Sequence, residues 1–363
     1  MFICLLSLQL GLILWSGVGD QHTAEPRYYD VRERVATTMT FVWQETCQVR
    51  IPLERIKDHN AWAEAYIKSL AESTKTSIEI LYERFSKMFI DEKVANMVFD
   101  LSYYYVIERT PQQTRIRTQK QAIDLHHAKV VGPFREEETY LQGNRVIKVY
   151  RGLSDGQVTV VYLAQCEEGV VGLGSPFRDV QPESLVIQAG VSPFRLYGRQ
   201  PEDWRLVSVS PEEWIFELPR EPKNEPNEQE DEAVQNNGAR PFQLPAPYVR
   251  FHLDRRYQDL LSRLEIRYPD GTTYTWRTLR YKRIESVWFP TEVELTVKHS
   301  LQETVSKIIL VSARRTKEPI QLRIPEKTPV YDYRHLGLRA WLYWGEYKQT
   351  EWSESLLDPS HQF

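Results

Sequence analysis

The sequence predicts a mainly β (α+β) fold: a large curved antiparallel sheet, or incomplete β-barrel, with a helical segment packed on its concave face. Three observations predict it. Alternating apolar and polar residues recur through most of the chain, punctuated by turn residues at roughly ten-residue spacing. One stretch, 58–90, instead carries apolar residues three and four apart, as a helix with one apolar stripe does. Strands do not alternate regularly with helices, as the crossovers of a parallel sheet would require.

Taken in order, the chain opens with Ile3–Trp15, thirteen uncharged residues interrupted only by Ser7, Gln9 and Gly11. A membrane-spanning helix needs about 20 apolar residues and a signal-peptide core roughly 7–15. Ser16-Gly17-Val18-Gly19 supplies the small residues that a signal peptidase requires. Residues 1–19 therefore read as a signal peptide. Because no Lys or Arg precedes the apolar run, an uncleaved anchor and a buried N-terminal helix stay open as alternatives. Residues 20–36 are polar, with charges of both signs, and read as a tether ending in a short helical turn.

A single β domain is expected over 37–363. Its first strand is Thr37–Ile51, where Met39, Phe41 and Trp43 alternate with polar neighbours. The helical insertion follows at 58–90. Asp58 or Asn60 can cap it, and Trp62, Tyr66, Leu70, Ile78, Leu81, Tyr82, Phe85 and Phe89 form its stripe. Ser73–Ser77 holds poor helix formers and is expected to split it. After Ala95 almost everything reads as strand. Gly143-Asn144, Asp155-Gly156 and Pro269-Asp270-Gly271 supply turns, and a further turn joins Glu292–Val297 to Thr304–Arg314. Residues 219–247 hold six Pro, many acidic and amide groups and no large apolar residue before Phe242. Such a segment cannot bury enough surface to offset its ordering entropy. It reads as a flexible acidic excursion between two strands, or else as an interdomain linker.

Charge and composition exclude some functions. With 46 basic and 50 acidic residues the chain lacks the basic excess of a nucleic-acid binder. Mean hydropathy is −0.50 and no later segment approaches spanning length, so no transmembrane span is expected in the mature chain. Cys47 and Cys166 remain after processing and can form a disulfide or stay as buried thiols. No cofactor is expected. There is no G-x-S-x-G elbow, no P-loop and no His-x-x-x-His pair, and Gly172-Leu173-Gly174 lacks the third glycine of a dinucleotide site. His126 and His127 are adjacent and read as an exposed loop pair. No catalytic or metal-ligating residue is identified, so the expectation is a non-enzyme.

Three patterns invite a closer look. Pro-Phe-Arg at 133–135, 176–178 and 193–195 reads as a turn with Phe plugging the sheet edge and Arg facing water; an internal duplication is the alternative, although the flanking residues do not match. Tyr274–Arg283 interleaves aromatic and basic residues and reads as a strand with a core face and a solvated one. The 10 Trp and 20 Tyr, many at alternating positions, either fill the core or line a concave apolar surface.

One N-terminal strand, a helical interruption and a long meander resemble the bacterial outer-membrane lipoprotein carriers (LolA/LolB-like). Ser286-Val-Trp-Phe-Pro-Thr-Glu-Val-Glu-Leu is similar to a W-x-P strand start found in exported members. Ile324-Pro-Glu-Lys-Thr-Pro-Val-Tyr-Asp-Tyr-Arg334 resembles their terminal segment. Together these cover under a fifth of the chain. The resemblance implies a cavity for an acyl chain or another apolar ligand, held by a periplasmic or envelope-associated protein. Strand parity nominates Tyr103, Tyr105, Trp214, Phe216, Tyr274, Trp276 and Val293 as its lining. The expected function is binding of a hydrophobic or lipid-like ligand, with a role in lipid or lipoprotein trafficking. The alternative is an envelope interaction module with a filled core, meeting partner proteins through the acidic excursion and Trp341–Tyr347. Third stands an exported hydrolase without a recognisable motif.

Overall fold

The computed structural model describes residues 27–142, 145–165, 182–218, 248–268, 271–299, 301–317, 320–332 and 343–346. Its central strands are β1 (Met39–Arg50), β2 (Val98–Arg109) and β3 (Thr114–Lys120). A small hairpin, β4 (Ala122–Asp124) and β5 (Lys129–Val131), stands apart. On one side follow β6 (Arg135–Gln142), β7 (Arg145–Gly152), β8 (Val158–Gln165), β16 (Pro329–Asp332) and β17 (Tyr343–Glu346). On the other lie β9 (Arg205–Val209), β10 (Glu213–Leu218), β11 (Tyr248–Asp254), β12 (Leu260–Arg267), β13 (Thr273–Ile284), β14 (Val287–Lys298) and β15 (Glu303–Arg315).

Among the described residues, fifteen of these strands form one open sheet in the order β17-β16-β8-β7-β6-β3-β2-β1-β15-β14-β13-β12-β11-β10-β9. The predicted antiparallel pairing is present, but the meander breaks between β8 and β9, which lie in opposite halves of the sheet, and β1 pairs with β15. β16 runs parallel to β8, Val330 lying opposite Val161, after the chain passes from β15 at the centre of the sheet to that edge. Turn chemistry placed the hairpins well. Gln142 pairs with Arg145, Arg267 with Thr273 and Lys298 with Glu303. Gly271 takes φ +85, a left-handed conformation for which glycine has no Cβ penalty. β10 and β11 pair directly, Leu218 opposite Val249, so the acidic stretch 219–247, which lies outside the described residues, joins adjacent strands.

The helices depart from expectation. Residues 27–36, assigned to the tether, form helix α1 (Arg27–Ala36), with Tyr29, Arg32 and Ala36 fully buried. Those three are spaced as one helical stripe. An arginine in its middle made the stripe read as polar. The insertion begins at Leu53, not 58: α2 (Leu53–Thr74) and α3 (Ile78–Arg84) are divided at Lys75, which has φ +56. The buried residues of α2 are Ile56, Ala63 and Ile67, whereas Trp62 and Tyr66 of the predicted stripe are exposed and stack on each other at 5.8 Å. An unforeseen helix, α4 (Pro182–Ala189), is bracketed by Pro182 at its start and Gly190 (φ +72) beyond its end.

These differences relocate the cover of the sheet. Tyr29 and Ala36 of α1, Val186, Ile187 and Ala189 of α4, and Phe194 and Leu196 of the following 3-10 turn share one core with β1, β2 and β10–β15. The helical insertion packs at one end of the strands, where Ile56 of α2 meets Ile51, Ile90, Val94 and Phe99.

Candidate functional site

The face beneath α1 and α4 is built by alternation. Along β1, Met39, Phe41, Trp43, Glu45, Cys47 and Val49 are buried and face inward, while Gln44, Thr46 and Gln48 are exposed. Register carries that face across the sheet. Trp43 lies opposite Tyr105, Phe216 opposite Phe251, Phe251 opposite Leu264, Leu264 opposite Trp276, and Trp276 opposite Leu295. The result is one aromatic-rich apolar layer. Phe194 enters it from the cover, edge-on to Phe216 at 4.9 Å, Phe251 at 5.0 Å and Trp204 at 6.4 Å. Offset and edge-to-face pairs of this kind add to simple burial.

All seven nominated residues turn to this side. Phe216, Trp276 and Val293 are buried in the layer, Tyr105, Trp214 and Tyr274 pack against it, and Tyr103 joins the adjoining cluster of Cys47, Val49 and Leu101. Phe216, Trp276 and Val293 share their core with Phe194 and Leu196 of the cover. Tyr105 is also less apolar than its parity suggested, since its hydroxyl donates to Glu45 Oε2 at 2.6 Å. Burial raises the Glu45 carboxyl above its ordinary 4.5, and burial and Glu45 together push the Tyr105 phenol well above 10. Cys47 is a buried thiol, pushed up to about 11 by burial; Cys166, its proposed partner, lies outside the described residues.

Polar ties reinforce the cover. Trp43 Nε1 donates to Gln188 O at 2.9 Å, Arg109 Nη1 donates to Ala189 O at 3.0 Å, and Arg195 pairs with Glu33 at 3.6 Å. Both carbonyls belong to the last turn of α4, where carbonyl oxygens lack partners within the helix. Arg32 stands apart. Its guanidinium is fully buried, and Nε, Nη1 and Nη2 have no hydrogen-bond acceptor among the described residues. Its ζ carbon lies 5.5 Å from the Tyr29 ring centre and 5.2 Å from that of Phe289. Sequence reasoning missed Arg32 because a charged residue in a polar stretch is normally solvated.

A groove of about 1030 Å³ lies on the opposite face, over β10–β14, lined by His252, Arg256, Arg263, Arg277, Arg280, Tyr257 and Tyr281 among others. Several of its arginines are paired, Arg256 with Asp254 at 2.8 Å, Arg263 with Glu265 at 2.8 Å and Arg280 with Glu292 at 3.0 Å, and His252 Nδ1 lies 3.0 Å from Glu213 Oε2. The strip Tyr274–Arg283 thus divides as expected, with Tyr274 and Trp276 in the core and Arg277 and Arg280 in this groove. The Pro-Phe-Arg motifs diverge. Phe194 is buried, Phe134 is exposed, and 176–178 lie outside the described residues. His127 is exposed and held by Asp124 at 2.7 Å. Among the described residues no three His, Cys, Asp or Glu side chains are grouped to hold a metal, and no helix is long and apolar enough to cross a membrane.

Fold and site define a class: a large, open, mostly antiparallel sheet whose apolar inner face is covered by short helices. Three solved structures are similar to it. A domain described as an outer membrane lipoprotein-sorting protein, from Vibrio parahaemolyticus, matches with a TM-score of 0.40 and 7% identity, over 81% of this chain and 93% of that one. A DUF1329 family protein from Desulfovibrio piger matches at 0.38 and 9%, over 80% and 94%. A LolA superfamily protein from Nitrosomonas europaea matches at 0.37 and 9%, over 82% and 96%. No protein-family model matches the sequence, and no curated protein matches it. At these identities and TM-scores no ligand or activity carries over from the three structures.

Proposed function

We propose that this chain is a non-enzymatic, exported envelope protein. In this reading it binds a hydrophobic or lipid-like ligand between the inner face of its sheet and the helical cover, in lipid or lipoprotein trafficking. One observation carries the reading: an aromatic-rich apolar face spanning eight strands is closed by two short helices, of ten and eight residues. Lifting the cover would expose that face, and an acyl chain could replace the lost burial at about 25 cal/mol per Å². Tyr103, Tyr105, Trp214, Phe216, Tyr274, Trp276 and Val293 would then form the wall against the ligand.

The test is native mass spectrometry of protein purified from its own envelope. A bound species of lipid mass, removed by organic solvent, is the expected result. A clean apo mass, together with no uptake of an apolar fluorescent probe, would overturn the reading. The same spectrum reports whether residues 1–19 are removed.

A second reading, an interaction module, is favoured by the filled core: Trp43, Phe251 and Phe289 are almost wholly buried by protein. It requires the clean apo mass.

A further inference from the structure

We propose that Arg32 is the anion-binding group of the covered face, so that the ligand is an amphiphile with an anionic oxygen headgroup, a carboxylate or a phosphate. This rests on the apolar-ligand reading above and specifies the ligand's chemistry. Arg32 is 0% exposed, and none of its guanidinium nitrogens has an acceptor among the described residues. A guanidinium offers five N–H donors and no acceptor. A buried charge is ordinarily paired, and an unpaired one points to an ion or ligand not seen in the structure.

The neighbours do not supply that pair. Two aromatic rings flank the group, and the adjacent carboxylate, Glu33, is engaged by Arg195. The spare capacity of Arg32 is donor capacity, which suits an acceptor-rich headgroup attached to an apolar chain.

Position adds to the case. Arg32 lies where α4 ends: a Cβ at Gly190 would meet Arg32 Nε at 3.3 Å, Ala36 Cβ at 3.0 Å and Phe289 Cε1 at 3.1 Å. The cover thus presses directly on the guanidinium without offering it a bond. Displacement of α4 by an acyl chain would uncover Arg32 at the same moment as the apolar face.

Binding of oleate, oleyl phosphate and oleyl alcohol, each below its critical micelle concentration, tests this in the full chain. Wild type is expected to bind the two anions about tenfold more tightly than the alcohol, the scale of a charge-assisted hydrogen bond. Arg32→Met should erase that preference while leaving alcohol binding within about twofold. Arg32→Lys, which keeps the charge, should retain part of it and serves if the methionine variant does not fold. Equal binding of the three amphiphiles by wild type, or a preference that survives Arg32→Met, would overturn the assignment and leave the apolar-ligand reading standing. Thermal stabilisation by acetate or phosphate alone, equal to that by oleate, would also overturn it by assigning Arg32 to a free anion. Failure of all three amphiphiles and of an apolar probe to bind would end both proposals.

Discussion

The two wings of the sheet alternate in the same way but carry their apolar clusters on opposite faces. In β10–β15, the face that continues from Trp43 and Tyr105 is apolar and lies beneath α1 and α4. Across β3, β6 and β7 the residues of that same face are Thr118, Glu137, Thr139, Lys148 and Tyr150. Here the apolar cluster of Tyr140, Ile147, Val149, Val161 and Val330 lies on the other side, under Ile320, Leu322 and Ile324. Lys148 is 1% exposed and pairs with Glu137 at 3.3 Å. The Glu45–Tyr105 bond falls at the seam between wings. The contrast teaches that an alternating pattern fixes a strand's two sides without saying which side is covered. That choice is made separately wherever a covering segment lands.

The comparison yields four measurements. The largest effect belongs to the apolar wing. Trp43→Ala empties a fully buried site and strands the Gln188 carbonyl, so equilibrium denaturation should record a loss of about 3–5 kcal/mol. A loss near zero would mean that the cover does not rest on that wing.

Lys148→Met comes next. If the polar wing were an apolar core in waiting, this change would stabilise the protein. With Glu137 left to Arg135 alone, it should instead cost about 1–3 kcal/mol. The double variant with Glu137→Leu should recover most of that loss.

Glu45→Gln probes the seam. Burial raises the folded carboxyl above 4.5, so between 4.5 and that raised value the folded state holds a proton that the unfolded chain has released. This contribution is present below pH 4.5 and lost as pH rises through the folded value. Thermal melts should show the variant more stable than wild type at pH 7, with the gain gone at pH 4. An equal gain at both values would mean that Glu45 does not titrate in this way.

The smallest effect is expected at Trp62→Ala. Trp62 is 56% exposed, and the change should stay within about 0.5 kcal/mol. Set beside Trp43, it separates two tryptophans that periodicity alone placed on equally apolar stripes.

The sequence by itself determined most of the strands, their hairpin partners and which residues of a strand share a side. The β12–β13 and β14–β15 hairpins lie where Pro269-Asp270-Gly271 and Lys298–Gln302 place them, and all seven residues chosen by parity share a side. Those features follow from local rules: a period of two along the chain, and turns that only certain residues make. Only the tertiary structure decided that α1 and α4 cover the apolar wing, that Trp62 and Tyr66 face outward, that both faces are buried at β6 and β7 and that Arg32 is enclosed. Each depends on which distant segment packs against a residue. Burial is a property of that encounter, and no neighbouring residue in the chain records it.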